Sequence, residues 1–247
     1  MTEPAGQGPD IAGRTVAIHQ PNFLPWLGYF DKIARADIFV LLDDVQFPKK
    51  SGTWMNRVKL LVSGEPAWVT VPIVRAYHGL RRIDEMQIDE SRPWRRKLLA
   101  TIEQNYRRAP HFDETMPLIT EVVMHETSGL ADYNEVGIRR VAAAVGLDVS
   151  KLVRASTLDV SGAATDLLIE IIRAVGGDCY LAGAGAAGYQ EDEKFELSGV
   201  GLRYQDFEHP TYPQLADRPH HGLSIVDALM HCGAERTARL LRCHSLR

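Results

Sequence analysis

The stretch that decides the fold is residues 15–42, which read TVAIHQPNFLPWLGYFDKIARADIFVLL. Residues 15–18 form a short apolar run that soon meets a proline, a pattern typical of a buried strand. Apolar residues then recur at helical spacing over 27–36. Residues 37–42 are a continuous β-prone run, which indicates a second buried strand. A strand, a short helix and a strand in such close succession predict a parallel βαβ unit.

The remaining chain continues to alternate predicted strands with predicted helices. Strands are predicted at 67–72, 149–154, 178–182 and 201–206, and helices at 93–105, 113–128, 131–146, 164–175 and 224–232. This alternation predicts an α/β domain with a mostly parallel sheet. We expect residues 1–13 to be a disordered leader and 14–247 to be one domain. The helices at about 92–147 are predicted to be an insertion between the two halves of the sheet.

The composition of the chain indicates which classes of partner to expect and which cellular compartment to expect for the protein. The formal net charge of the 247-residue chain is −4, so it lacks the basic field that holds nucleic-acid phosphates, and no DNA partner is expected. Its three cysteines show no CxxC spacing, which is typical of reduced thiols in a cytoplasmic protein. No apolar run approaches the roughly 18 residues that a membrane span requires, so no membrane partner is expected.

Ligands of parallel sheets bind beyond the carboxyl ends of the strands, and the first such end carries His19. An imidazole there can act as a general base or donate a hydrogen bond to a developing oxyanion. The alternative is a histidine that only orders the following turn through backbone hydrogen bonds. The polar residues Gln20 and Asn22 favour the functional interpretation. We therefore predict His19 as catalytic, with Gln20 and Asn22 binding substrate.

Asp43 and Asp44 end the second predicted strand. Successive strand side chains point to opposite faces, so one of the two is expected to face a ligand, and the sequence does not say which. A carboxylate there can hold a substrate amine, or it can simply cap the next turn. Both are predicted as catalytic candidates, and Gln46 and Lys50 in the same loop as substrate-binding residues. No histidine or acidic residue lies nearby at metal-ligand spacing, so no metal is expected.

A local basic patch follows, in which Asn56 and Arg57 are the predicted substrate-binding residues. A guanidinium such as that of Arg57 can pair with a carboxylate or a phosphate through two parallel hydrogen bonds. The alternative is a solvated charged loop, which is favoured for the neighbouring Lys49 and Lys59.

Two later segments add further candidates. Gly183 and Gly185 can bring backbone N–H groups close to an anion and are predicted to bind a cofactor, although their spacing matches neither a P-loop nor GxGxxG. A plain exit from the strand is the alternative. Residues 204–214 combine aromatic and hydrogen-bonding groups and are predicted to form a pocket wall or lid, the alternative being a surface segment packed on the core. The substrate-binding residues predicted in these segments are Tyr189, His209, Tyr212 and Gln214.

These runs together resemble the WbqC-like protein family. The matching runs are AIHQPNFLPWLGYF at 17–30, VLLDDVQF at 40–47, WMNR at 54–57, WVTVP at 68–72 and YLAG at 180–183. The resemblance continues through 204–214 and ends near residue 227, so it covers nearly the whole chain after the leader. Members of the family are associated with surface-polysaccharide (O-antigen) gene clusters and with small-molecule biosynthesis. The resemblance therefore implies modification of an amino sugar or related metabolite by acyl or aminoacyl transfer.

The opening of the chain is also similar to pantothenate synthetase and other nucleotidyltransferases that carry an H-x-G-H motif. The shared order is strand, proline-containing turn, glycine, helix, aspartate and strand, and it implies a Rossmann-like, nucleotidyltransferase- or HUP-like sheet. The aligned tetrapeptide here is WLGY at 26–29. Gly28 matches, but Trp26 and Tyr29 replace both histidines, so the groups that perform adenylyl transfer do not match.

Three functions stay open on this basis. The first is a transferase that forms an amide or ester on an amino sugar or small metabolite, with His19 as base, Asp43 or Asp44 holding the acceptor amine, and Asn56 and Arg57 binding an anionic group. Its activated donor would be a carrier-protein thioester, an aminoacyl-tRNA or a coenzyme A ester, and the basic helix at 92–97 could dock an acidic carrier protein. The second is an ATP-dependent ligase that forms an acyl-adenylate. The third is a non-catalytic protein that binds a small molecule.

Overall fold

A computed structural model describes residues 13–48, 53–183 and 191–242. The strands are β1 (Thr15–His19), β2 (Ile38–Leu41), β3 (Arg57–Val62), β4 (Glu65–Thr70), β5 (Leu152–Arg154), β6 (Cys179–Ala182) and β7 (Gly201–Tyr204). The α-helices are α1 (Leu27–Arg35), α2 (Trp94–Tyr106), α3 (Phe112–Val123), α4 (Leu130–Ala144), α5 (Ala164–Ala174), α6 (Asp192–Ser198) and α7 (Ile225–Arg242). A short 3-10 helix, Ala155–Thr157, follows β5.

Five strands form one parallel sheet in the order β5-β2-β1-β6-β7. The chain proceeds outward from β1 through β2 to β5, then returns to place β6 and β7 on the opposite side of β1. This order is that of a Rossmann-like sheet, and it creates a topological switch point between β1 and β6. The predicted α/β class, the parallel sheet and the opening βαβ unit are confirmed, while the nucleotidyltransferase-like subtype stays a prediction.

The central strand β1 is buried on both faces of the sheet. Ala17 packs with Phe39 in a large apolar cluster on one face. Val16 packs with Val40 and with Ile172 of α5 in a second cluster on the other face. Because both faces are covered, the strands of this sheet read as continuous apolar runs and not as alternating patterns.

β3 and β4 form a separate antiparallel hairpin. Ser63 and Gly64 connect the strands and both have positive φ, at 54° and 80°, the backbone of a two-residue type I′ turn. The strand predicted at 67–72 is thus an antiparallel strand of a second sheet, and β3 was not predicted. Polar residues Arg57 and Lys59 alternate with buried Val58 and Leu60 along β3, which is the period of a half-buried strand.

Helices α2, α3 and α4 follow one another between β4 and β5, in the region where three helices were predicted. Their buried side chains, among them Ile102, Ile119 and Ile138, share the large cluster with α1 and α7. The side-chain amide of Asn134 in α4 donates to the carbonyl oxygens of Pro21, at 2.9 Å, and Met55, at 2.7 Å. The helical segment therefore supports the turn that follows β1.

The C-terminal elements differ most from expectation. Helix α6 was not predicted, because its seven residues are too few to show a helical period. Helix α7 extends to Arg242, well beyond the predicted end at 232, and bends at Gly233, where φ is 72° and ψ is 170°. Within the part of the chain that the structure describes, no helix combines the length and apolarity needed to cross a membrane.

Candidate functional site

A cavity of about 750 Å³ lies at the carboxyl edge of the parallel sheet, across the switch point between β1 and β6. Segments that follow β1, β2, β5, β6 and β7 all contribute to its wall. Most of the wall is apolar, and the polar groups that reach it are few, which is the usual composition of a small-molecule site. Its lining residues include Ile18, Trp26, Leu42, Val45, Leu167 and Leu168.

His19 borders this cavity at the last position of β1. Its Nδ1 lies 3.1 Å from the carbonyl oxygen of Gln20. A carbonyl oxygen can only accept a hydrogen bond, so Nδ1 carries the proton and Nε2 keeps a free lone pair. Burial, followed by the positive charge of Lys32, lowers the pKa of His19 to about 3. The imidazole is therefore neutral at neutral pH.

The turn after His19 is fixed by several independent contacts. The Tyr29 hydroxyl donates to the carbonyl oxygen of Gln20 at 3.1 Å, the same oxygen that accepts from His19. The rings of His19 and Tyr29 meet edge to face, with centroids 4.8 Å apart. Asn22 is buried at 2% exposure within the turn and is not part of the cavity wall, whereas Gln20 lines it. The two aromatic residues that replace the H-x-G-H histidines, Trp26 and Tyr29, thus pack around His19.

Lys32 is a cavity residue that the sequence interpretation missed. It lies on α1 with only 2% of its surface exposed, and its Nζ donates to the carbonyl oxygen of Ile18 at 2.9 Å. Burial lowers the pKa of this amine to about 7. Among the described residues, no carboxylate pairs with it. Lys32 lies four residues after Gly28, on the α1 face that meets the sheet edge, but this spacing alone does not distinguish a buried lysine from one that reaches solvent.

The N-terminus of α5 meets the cavity from the other side of the sheet edge. Ala164 and Thr165 in its first turn both line the wall. The backbone N–H groups of a first helical turn lack partners within the helix and carry partial positive charge. Ala164 has φ of 50°, a left-handed conformation that is uncommon for a residue with a Cβ and recurs at ligand sites.

The far wall is built from residues after β6 and β7. Gly183, Gln205, Phe207 and His209 line it. The Gln205 side-chain amide donates to the carbonyl oxygen of Gly28, at 2.8 Å, which ties this wall to α1. Burial, with a contribution from His221, lowers the pKa of His209. The structure therefore brings four predicted residues to one cavity, namely His19, Gln20, Gly183 and His209.

Asp43 and Asp44 lie outside the cavity wall although they follow β2. The carboxylate of Asp43 is buried and accepts from the backbone N–H of Ser156 at 3.0 Å and from its hydroxyl at 2.8 Å. Those bonds hold the turn after β5, so Asp43 has a structural role, although not the capping of its own next turn that was the alternative raised from the sequence. Burial, and secondarily the charge of Asp43, raises the pKa of Asp44. The catalytic roles predicted for the two aspartates have no support from this geometry.

The predicted basic patch is likewise separate from the cavity. Asn56 is buried, and its amide donates to the carbonyl oxygen of Val71 at 3.1 Å, which joins β3 to the segment after β4. The guanidinium of Arg57 lies 4.2 Å from the ring of Trp68, a cation–π contact on the hairpin. Gln46 is exposed and pairs with Arg82 in an isolated bridge. These three residues do not line the cavity.

Tyr212 and Gln214 belong to a buried cluster around Asp227 of α7. The Tyr212 hydroxyl donates to the Asp227 carboxylate at 2.9 Å, and the Gln214 amide donates to the same oxygen at 2.8 Å. The Tyr106 hydroxyl donates to the other oxygen at 3.0 Å. The cluster attaches the segment that carries His209 to α7, so these residues support the wall from behind and do not form it.

Three predicted residues, Lys50, Gly185 and Tyr189, lie outside the described residues.

In the basic helix, Arg95 donates to the backbone oxygens of Val123 and His125, which leaves Arg92, Arg96 and Lys97 as its exposed cations. Within residues 13–48, 53–183 and 191–242, no group of three or more histidine, cysteine, aspartate or glutamate side chains could hold a metal ion.

The fold defines an α/β protein with a Rossmann-like parallel sheet and a cavity at its switch point. The chain belongs to the WbqC-like protein family, which matches residues 20–239, so the resemblance seen in the sequence is confirmed. It is 28% identical over 232 residues to the uncharacterized protein Rv1507c of Mycobacterium tuberculosis (strain ATCC 25618 / H37Rv), covering 93% of this chain and 99% of that protein. No solved structure gives a significant match.

Proposed function

We propose that this WbqC-like protein is a biosynthetic transferase that forms an amide or ester on a small metabolite, with an activated acyl or aminoacyl group as the donor. The observation that carries the proposal is the neutral imidazole of His19 in a mostly apolar cavity at the switch point of the sheet. Surface-polysaccharide or natural-product biosynthesis, with an amino sugar or related metabolite as acceptor, is the setting that the family resemblance suggests.

His19 is the group that accepts a proton in this reaction. Its Nε2 lone pair receives the proton of the acceptor's N–H or O–H group while the acceptor's nitrogen or oxygen forms a bond to the acyl carbon. The bond from the acyl carbon to the donor's leaving group then breaks, and the proton passes from Nε2 to that group. The contact between Nδ1 and the carbonyl oxygen of Gln20 keeps the ring in the required tautomer.

The low pKa of His19 makes it a weak base in the empty cavity, so the reaction needs charge compensation. Negative charge that develops on the acyl oxygen would stabilise the imidazolium as it forms. An anionic group bound beside Lys32 would offset the positive charge that opposes protonation of His19. Exclusion of water by the apolar wall strengthens both effects.

The donor is an activated acyl compound, and a carrier-protein thioester, a coenzyme A ester and an aminoacyl-tRNA all meet that description. A carrier protein with acidic side chains would meet the exposed cations of the helix α2 region, Arg92, Arg96 and Lys97.

The test is product formation from defined mixtures, followed by mass spectrometry. Each mixture combines one donor class with amino sugars, amino acids or hydroxy acids as acceptors. Wild type is expected to form an amide or ester, and His19→Ala is expected to lose about 10²–10⁴-fold in rate, the usual contribution of a general base. His78→Ala, at an exposed position, serves as the control. Unchanged turnover in His19→Ala would overturn the role of His19.

Mixtures that contain ATP and the free acid, without a preformed donor, distinguish an ATP-dependent ligase from the proposed transferase. An adenylating enzyme releases pyrophosphate from ATP in the presence of the acid, and ATP stabilises it against unfolding by about 2.7 kcal/mol at a hundredfold excess over Kd. Pyrophosphate release without a preformed donor would overturn the transferase. Binding without turnover of any mixture would favour a binding protein.

A further inference from the structure

Lys32 is the only lysine or arginine among the described residues that line the cavity. Its ammonium makes one hydrogen bond, to the carbonyl oxygen of Ile18, and no carboxylate among the described residues pairs with it. A lysine ammonium has three donors, so two have no partner among the described residues. A buried charge of this kind is strongly disfavoured unless it is paired. An anionic group of a ligand would supply the missing counter-charge.

The first turn of α5 adds a second attraction for negative charge. Ala164 and Thr165 line the same cavity, and α5 is an 11-residue helix whose unpaired N–H groups lie at this end. The Thr165 hydroxyl accepts from the backbone N–H of Glu191 at 3.0 Å, so its side chain is held in place. A buried ammonium and a helix N-terminus thus bound one cavity at the carboxyl edge of the sheet.

The positive charge available there is small. His19 and His209 also line the cavity, but burial lowers the pKa of each, so both are neutral at neutral pH. One ammonium and one helix end match a group with a single negative charge and not a di- or triphosphate. The apolar side chains of Leu42, Leu167 and Leu168 in the remaining wall match an apolar body.

We infer that the acceptor is an apolar amino or hydroxy acid, bound with its carboxylate at Lys32 and the first turn of α5 and its amine or hydroxyl at Nε2 of His19. The inference rests on the proposed function in one respect. The ligand is an acceptor only if the protein is the proposed transferase, because the atom placed at His19 is the one that would be acylated. The binding mode itself stands on the cavity, the unpaired ammonium and the neutral imidazole. The product class is then an N-acyl amino acid or an O-acyl hydroxy acid.

Calorimetry on the full chain tests the binding mode without a donor. The probes are leucine, 2-hydroxy-4-methylpentanoate, leucinamide and inorganic phosphate. The two acids are expected to bind, and leucinamide and phosphate to bind about tenfold more weakly or not at all. Lys32→Met is expected to lower the affinity for both acids by about 10- to 100-fold, the range for a hydrogen bond to a charged group. Arg239→Met, which removes an exposed charge on α7, is expected to leave it unchanged.

Wild type alone provides a second measurement, which does not depend on the folding of a variant. Affinity for 2-hydroxy-4-methylpentanoate is expected to fall as pH rises from 6 to 9, by up to about tenfold per pH unit, because Lys32 loses its proton. The hydroxy acid is chosen because its hydroxyl does not titrate there. Equal affinity for leucinamide, tighter binding of phosphate, or a pH-independent affinity would each overturn the inference. Binding of the acids without acylation by any donor would sustain it and overturn the transferase.

Discussion

Lys32 donates from Nζ to the carbonyl oxygen of Ile18 at 2.9 Å, which holds a lysine amine against the carboxyl end of the central strand. The bond joins α1 to β1 one residue before His19, so the amine and the imidazole share one cavity wall. Burial lowers the pKa of both groups. Each group therefore binds its proton less readily in the folded chain than in the unfolded chain. This difference lowers the free energy of unfolding at any pH where the unfolded chain binds the additional proton, so it should appear in the pH dependence of unfolding.

The first prediction concerns Lys32 at alkaline pH. Its pKa is about 7 in the folded chain, whereas the usual value for a lysine side chain is 10.5, so between these values the unfolded chain binds more protons. Stability therefore rises as pH increases above 7, by at most about 1.4 kcal/mol per pH unit. Lys32→Met is expected to remove this slope between pH 7 and 9 and to raise the free energy of unfolding at pH 7 by roughly 1–3 kcal/mol. Denaturant titrations of both proteins measure the difference.

The exposed Lys97 on α2 provides the matched control, since Lys97→Met should retain the wild-type slope. If Lys32→Met were less stable than wild type at pH 7 and kept the same slope, the buried amine would not have a lowered pKa.

The second prediction concerns His19 at acid pH. The folded pKa is about 3 and the usual value is 6.5, so the unfolded chain gains a proton in between and the folded chain does not. The contribution of neutral His19 is fully present above pH 6.5 and is lost as pH falls toward 3. His19→Gln is expected to reduce the loss of stability between pH 7 and 4.5 relative to wild type, as measured by denaturant unfolding. His78→Gln, at an exposed position, should change nothing, and equal acid sensitivity of all three proteins would contradict the prediction.

The fold was largely predictable because the buried strands are continuous apolar runs separated by periodic helices. The βαβ unit at 15–42 fixed the class, and the strand order followed only from the structure. The antiparallel hairpin was hidden because β3 contains Arg57 and Lys59, which read as a charged loop when the partner strand is unknown. Short α6 carries too few residues for a period to be visible.

The candidate site was predictable where chemistry and strand ends coincide, as at His19 and Gln20. It was not predictable where the direction of a side chain decides whether that side chain reaches the cavity. Asp43 follows β2 as closely as His19 follows β1, yet its carboxylate points to Ser156 and not to the cavity. Lys32 was missed for the converse reason, since a lysine in a surface-like helical pattern normally reaches solvent, and only packing against Ile18 shows otherwise.

The third prediction concerns Gly28, which joins α1 to the far wall of the cavity. A Cβ at this position would lie 2.8 Å from Cδ1 of Phe207 and 2.8 Å from Nε1 of Trp26, both too close. Gly28→Ala is expected to lower the free energy of unfolding by about 1–2 kcal/mol, because overpacking outweighs the roughly 1 kcal/mol gain in helix propensity. Gly183→Ala is the control, since among the described residues its Cβ would meet only Nζ of Lys32, at 3.9 Å. A more stable Gly28→Ala protein would show that the wall yields freely.

The fourth prediction separates a structural role of Tyr212 from the substrate-binding role predicted from sequence. Its hydroxyl donates to the buried carboxylate of Asp227, 2.9 Å away, and burial raises the pKa of that hydroxyl. Tyr212→Phe removes one hydrogen bond to a charged group, so it should lower the free energy of unfolding by about 1.5–3 kcal/mol. Asp227→Ala should lower it further, because the hydroxyl of Tyr106 and the amide of Gln214 would also lose their acceptor. If the segment behind the cavity is otherwise intact, Tyr212→Phe should keep the wild-type affinity for 2-hydroxy-4-methylpentanoate. The opposite pattern, weakened binding with unchanged stability, would return Tyr212 to the binding site and require the 205–214 segment to move toward the ligand.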